Sequence, residues 1–367
     1  MAGVISRGIR GPIIREGDDI VDIVVNSVYA SEQADGYTLQ DRDVIAVTES
    51  VVARAQGNYV TVDQVAQDIR NKFPAKKLGL VFPILSRNRF SMCLKGIARA
   101  MDEVVILFSY PNDEVGNPLM VRSAYLKNRY SGVYDFQEAD FVKTFGSPVH
   151  PFTGVNYLDF YREVIESEGA KATFLFSNDC RYIASFCDQV LCCDIHTRER
   201  SKRLLKAAGA KTVLGLDDLL TASVDGSGYN PQYGLLGSNK ADDERVKLFP
   251  RDAMAVAEGI GKAMSEATGK QIEAMVYGDG AFKDPAGKIW ELADPVVAPG
   301  YTAGLIGTPN ELKLKYLADH DFGDLTGEAL QKAVAEKIRQ KDAKVSLVGN
   351  MVSEGTTPRN LTDLIGS

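Results

Sequence analysis

Apolar residues recur at helical spacing at Ile20, Ile23, Val24 and Val28, and a short unbroken apolar stretch follows at 44–47, ending in Thr48 and Glu49. The first pattern predicts an amphipathic helix and the second a buried strand. Polar groups at a strand's carboxyl end mark the place where α/β folds bind ligands. The same pattern predicts strands at 78–84 and 104–109 and helices at 63–73 and 90–101, the last with Phe90, Leu94, Ile97 and Met101 on one face. From 112 to 130 the chain turns polar and carries Pro and Gly. A loop of that length usually carries function or joins domains.

A second α/β rhythm comes next. Helices predicted at 157–168, 181–187 and 197–208 alternate with strands at 172–177, 190–195 and 212–216. Such alternation implies right-handed βαβ units and a small parallel sheet. Gly209 is placed as the glycine that ends a helix, and Asp217 as a cap for the next element. The breaker run at 225–231 closes this unit. Beyond it come a helix at 251–268 ended by Gly269, a strand at 272–277, helices at 312–319 and 328–339, a strand at 344–348 and a further helix from 358. The expected organisation is a discontinuous core, 1–110 with 231–367, split by an α/β subdomain at 111–230 that has its own hydrophobic core.

A chain of 367 residues has room for about two domains, since single cores stop growing near 250–300 residues. With 45% hydrophobic and 25% charged residues it reads as a soluble globular protein. A net charge of −7 speaks against a general nucleic-acid binder, which needs a basic face. Charged residues throughout the first 20 positions leave no signal-peptide core, and no run reaches the ~20 apolar residues of a membrane span, so a cytoplasmic location is expected. Five cysteines without Cys-x-x-Cys spacing read as buried structural thiols. A conventional dehydrogenase, P-loop enzyme, serine hydrolase or zincin is excluded by the absence of their motifs.

Several residues carry candidate chemistry. Arg87, Arg89 and Ser91 cluster where a helix begins, and guanidinium groups with free helix amides favour a phosphate or carboxylate. Asp279 ends an apolar strand and precedes Gly280, a placement that suits a hard divalent cation; Asp294, Asp113 and Glu114 are further carboxylates for it. In the expected subdomain, Asp179, Asp194 and His196 lie just past strand ends.

The segments Gly11-Pro12-Ile13-Ile14 and Ala53-Arg54-Ala55-Gln56-Gly57, then Tyr233 to Asn239, Leu248-Phe-Pro and Met275 to Gly280, follow one another in an order that resembles the coenzyme F-420 gamma-glutamyl ligases. The resemblance covers about two thirds of the chain. It implies an α/β fold of the ligase type with an inserted Rossmann-like subdomain. The implied activity joins glutamate, or another amino acid, to a substrate carboxylate through an acyl phosphate, using GTP (or ATP) and magnesium or manganese. By the same resemblance, Gly11, Pro12, Ile13, Ile14, Arg54 and Asn239 would bind nucleotide and Asp279 would hold metal; the residue patterns above add Thr48 to the nucleotide site, Asp294 and Asp113 to the metal, and Arg87 and Arg89 as receivers of the acid. Leu236 falls where the family has its first metal aspartate. Expected partners are therefore small molecules, with no nucleic acid and no membrane, and homodimerisation is open. Two other readings remain: a non-catalytic nucleotide- or metabolite-binding protein, or an enzyme whose site lies at Asp179 and Asp194.

Overall fold

The computed structural model describes residues 4–128, 132–151, 153–278, 282–283, 290–291, 296–308, 313–340 and 360–366. The chain opens with α1 (Ile20–Asp35), β1 (Val44–Thr48), α2 (Glu49–Ala55), β2 (Tyr59–Thr61) and α3 (Val62–Lys72). Next come β3 (Lys77–Val81), α4 (Phe90–Ala100), β4 (Glu103–Phe108), α5 (Arg122–Asn128), β5 (Phe136–Gln137) and α6 (Glu138–Phe145). Then follow α7 (Tyr157–Ser167), β6 (Lys171–Phe176), β7 (Gln189–Cys192), α8 (Arg198–Ala207), β8 (Thr212–Gly215), β9 (Asn239–Lys240) and β10 (Arg245–Lys247). The last part holds α9 (Ala253–Thr268), β11 (Glu273–Tyr277), β12 (Phe282–Lys283), β13 (Trp290–Glu291), β14 (Gly300–Tyr301), α10 (Leu314–Tyr316), α11 (Gly327–Gln340) and α12 (Leu361–Gly366).

The largest sheet has the order β5-β6-β4-β3-β7-β8, parallel except for β5. Its strands alternate between two cores. Leu78, Leu80, Val104, Ile106, Phe174 and Cys193 face the core shared with α3, α4 and α7. Val81, Val105, Leu107, Leu175 and Cys192 face the core under α8. Burial on both faces is why these strands read as continuous apolar runs. Adjacent Cys192 and Cys193 lie in opposite cores, and all five cysteines are buried and free, as their apolar settings suggested.

This topology corrects the expected insertion. The segment 111–230 has no sheet of its own, because β6 pairs with β4 and β7 pairs with β3, strands that precede residue 110. A boundary at 110/111 would run through the middle of one hydrogen-bonded sheet. Taken in space, β6-β4-β3-β7-β8 is the 3-2-1-4-5 order of a doubly wound fold, with its crevice at the carboxyl ends of β3 and β7, where the chain changes direction of winding.

Two smaller sheets flank it. Parallel β1 and β11, with antiparallel β14, pack against α1, α2 and α9 around Ile20, Val52, Ala257, Ile260 and Met264. Antiparallel β2, β10 and β9 connect this unit to the large sheet. α3 starts with a capping box from Thr61 and Gln64, and Gly96 lets α4 approach α3 so closely that a Cβ would lie 2.5 Å from Val65 Cγ1.

Several boundaries shift for local reasons. The strand expected to reach 84 stops at Val81, because Phe82 takes φ +52° and turns the chain. The loop expected through 130 contains α5, none of whose residues is buried. The helix expected at 312–319 is α10 continued by a π-helical turn at Leu317–Asp321. The strand expected at 344–348 lies outside the described residues. Among those described, no helix is long and apolar enough to cross a membrane.

Excision of 111–230 tests the interleaved sheet. A chain joining 110 to 231 would leave β3 and β4 without neighbours on their outer edges, and should be unfolded or aggregated by circular dichroism and size-exclusion chromatography. A folded monomer would restore the separate subdomain.

Candidate functional site

The crevice between β3 and β7 is built from three loops. After β3, the chain runs through Ser86 to Arg89 into α4, and Tyr161 from α7 fixes it: Ser86 N donates to the Tyr161 hydroxyl at 3.0 Å, and that hydroxyl reaches Ile84 O at 2.8 Å. Arg89 N donates to Ser86 Oγ at 2.9 Å, closing the turn ahead of the helix. Arg89 is 4% exposed, a cation held inside the protein, whereas Arg87 is half-buried with its guanidinium over the Phe160 ring.

The segment 233–240 forms the facing wall. Leu235 and Leu236 are buried, Ser238 Oγ lies 3.5 Å from Cys93 Sγ, and Lys240 N donates to Asn88 O at 2.7 Å. Ile84, Arg89, Cys93, Cys193, Ile195, Leu216, Leu236 and Ser238 together line a small cavity of about 20 Å³. Burial pushes the Cys93 thiol up to about 11, so it stays neutral there.

β9 leads from this wall to a second feature. Asn239 pairs with Lys247 across β9 and β10, and Lys247 Nζ meets both Glu49 carboxylate oxygens at 3.2 Å. Glu49 is 2% exposed and Lys247 5%. Glu49 opens α2 directly after Thr48, so Thr48, Asn239 and the buried pair meet at the carboxyl end of β1. A carboxylate in the first turn suits the positive end of a helix, and the ammonium completes its charge balance.

Expected site residues divide on this framework. Arg89, Arg87 and Asn239 come together around the Ser86–Arg89 loop, and Thr48 joins them through Glu49 and Lys247. Gly11, Pro12 and Ile13 are exposed on a segment without regular structure, and Ile14 packs on the core under α1 and α2. This stretch meets the end of α2, where Gly17 N donates to Ala55 O at 2.9 Å. Arg54 is exposed near there, since its neighbours Ala53 and Ala55 take the buried face.

The carboxylates have other work. Asp113 accepts from Leu85 N, Val115 N, Asn117 N and Asn117 Nδ2, and so ties the loop after β4 to the loop after β3. Glu114 reaches in the other direction, accepting from Ile195 N, His196 N and Thr197 Oγ1 at the start of α8. Successive acidic residues thus clamp both sides of the crevice. Asp194 is fully buried under α8 with Oδ2 on Thr197 and Ser201, and burial raises its pKa; its Oδ1 has no hydrogen-bond partner among the described residues. Asp179 spends both oxygens on Arg181, and His196 is exposed. Asp217 does not cap the next turn: its Oδ1 takes Arg198 and Lys202, while Asp218 accepts from Gly215 N.

Among the described residues no three His, Cys, Asp or Glu side chains gather to hold an ion. Leu236 offers hydrocarbon where the resemblance has an aspartate, Asp113 is occupied by four N–H donors, and Asp279 and Asp294 lie outside the described residues.

Sequence reasoning missed Lys247, Arg251 and the clamp made by Glu114. Arg251 joins the end of α2 to β2 through Asn58 Oδ1 at 2.8 Å and Gln56 O at 3.3 Å. A lone lysine inside an apolar strand, in Arg245-Val-Lys247-Leu-Phe249, was the available signal for Lys247.

Breaking one half of the buried pair should be worse than removing both. Lys247→Met leaves Glu49 charged and buried and should cost about 3–5 kcal/mol in urea unfolding, while Glu49→Leu with Lys247→Met should cost less. A double variant as unstable as the single would show that the pair is not coupled.

A pH dependence arises from Asp113. Burial pushes its carboxyl up to about 6, against the lowering effect of its N–H donors. A raised folded value means that its stabilising contribution is complete below about pH 4 and fades as pH rises through about 6. The stability of Asp113→Asn should therefore gain on wild type between about pH 4 and pH 7. A gap that is constant or widens over this range would contradict the raised value.

No curated protein matches the chain. Its residues 8–367 match the family described as F420-0:Gamma-glutamyl ligase, a span that includes the whole crevice, the 233–240 wall and the Glu49–Lys247 pair. The chain belongs to that ligase family.

Proposed function

We propose that this protein is an amide-forming ligase that joins an amino acid, glutamate in the first instance, to a small carboxylic acid at the expense of GTP or ATP. The observation that carries the reading is the family match over residues 8–367, whose segments meet at the Ser86–Arg89 loop, Asn239 and the Glu49–Lys247 pair. The γ-phosphoryl group passes to a carboxylate oxygen of the acid, giving an acyl phosphate and the nucleoside diphosphate. The glutamate amine then attacks the acyl carbon, the amide bond forms, and inorganic phosphate and a proton leave.

Positioning and charge dominate such phosphoryl transfers. Arg89, inside the crevice, and Arg87 at its edge are the cations for the acid. Thr48, Asn239 and Lys247 line the approach from β1 and β9, with Glu49 holding the lysine in place. Arg54 and the Gly11–Ile14 stretch form the outer part of the nucleotide site. With no ligand set for a divalent ion among the described residues, no step is drawn through one. The apolar Leu236 favours a second reading, a nucleotide-binding protein on the same fold that performs no turnover.

Two measurements test this. Incubation with GTP or ATP, a panel of small carboxylic acids and glutamate should release phosphate in step with an amide product seen by mass spectrometry, and only when both acid and amine are present. Nucleotide binding without phosphate release across the panel would favour the non-catalytic reading. Arg54→Ala should weaken nucleotide binding about ten-fold or more by calorimetry, the loss of one charge-assisted contact. Unchanged affinity would remove Arg54 from the site.

A further inference from the structure

We propose that α5 and α6 form the contact surface for a second copy of this chain, arranged about a two-fold axis so that α5 of one copy lies on α6 of the other. None of the residues of α5 is buried, and Tyr125 packs the helix on the core beneath, its ring 6.0 Å from that of Tyr110. The rings of Phe136, Phe141 and Phe145 also stand 5.6–6.1 Å from the Tyr110 ring, and the Tyr110 hydroxyl donates to Tyr134 O at 2.6 Å. Exposed apolar side chains surround this aromatic cluster. Leu126, Val133, Tyr134 and Val142 are between 38% and 55% exposed, and Val121, just before α5, is 52% exposed. Single exposed apolar residues are ordinary, whereas a contiguous set of them marks an interaction site.

Charge selects the partner. α5 carries Arg122 and Lys127 and no acidic residue, while the first turn of α6 carries Glu138 and Asp140. Arg122, Lys127 and Asp140 are exposed and form no ion pair among the described residues. Neighbouring helices of opposite sign, with apolar groups between them, are complementary to themselves once turned about a two-fold axis, which is what an isologous contact requires. A partner of one charge sign would leave one of the two helices facing its own charge. Residues 121–128 and 132–149 have the extent of one side of a standard interface, about 20–30 residues. This surface follows directly on the loop that holds Asp113 and Glu114, where Leu119 N donates to Pro111 O at 2.7 Å and both Leu119 and Met120 are buried. A copy docked on α5 therefore sits beside the clamp on the crevice, and the contact needs nothing from the ligase reading.

Sedimentation equilibrium of the full chain over a concentration series tests this. The chain should form a dimer, and hydrogen exchange should slow within α5 and α6 as dimer replaces monomer. Leu126→Asp with Val142→Asp should weaken the dimer at least about ten-fold while leaving the melting of the dilute monomer unchanged, since neither side chain is buried. Reversing α5 (Arg122→Glu with Lys127→Glu) or α6 (Asp140→Lys) should each weaken self-association, whereas a mixture of the two reversed chains should form the mixed dimer, because each reversed helix then meets its opposite. A monomer at every concentration, a dimer indifferent to Leu126→Asp with Val142→Asp, or reversed chains that fail to pair on mixing would overturn the proposal.

Discussion

Pairing of β3 with both β4 and β7 is the constraint on which the rest depends. These strands are hydrogen-bonded on both sides and buried on both faces, so only their ends can carry polar chemistry. The chain leaves β3 in one direction to β4 and β6 and returns on the other side to β7 and β8, opening a crevice at the carboxyl end of β3. Loops from three strands converge there: Ser86–Arg89 after β3, Asp113 and Glu114 after β4, and 193–197 after β7. Asp113 and Glu114 bind the other two loops through backbone N–H groups, which holds the crevice walls at a fixed separation.

The second unit, around β1, α2 and α9, is tied to this crevice by β9 and β10. Lys240 bonds to Asn88 in the loop after β3, while Lys247 in the paired strand meets Glu49 at the start of α2. One short antiparallel ribbon thus places the carboxyl end of β1 beside the carboxyl end of β3. The proposed ligase reading uses both strand ends, the nucleotide on the β1 side and the acid on the β3 side.

Local structure was legible in the sequence where period and caps agree. The apolar face of α4, the αL glycine Gly269 after α9 and the alternation of helices and strands from 157 to 216 all stand close to their expected places. Pairing between distant strands was not, because a buried parallel strand carries the same apolar run whichever neighbour it takes. That is why 111–230 read as a separate unit although β6 and β7 complete the sheet begun by β3 and β4. At the site, Arg89, Arg87 and Asn239 were visible as residue types at element ends. Glu49 and Lys247 stand 198 positions apart, and no local pattern announces that they meet. Arg54 shows the converse: its charge was legible, its outward direction on α2 was not.

The most direct measurement is a crystal structure of the protein soaked with a non-hydrolysable GTP analogue and glutamate. Density should lie along the ribbon from Thr48 and Lys247 to the Ser86–Arg89 loop, with Asn239 between the two ends. Density confined to the opposite face of the large sheet, or to the surroundings of Asp179 and Arg181, would contradict a site formed where β1 and β3 end.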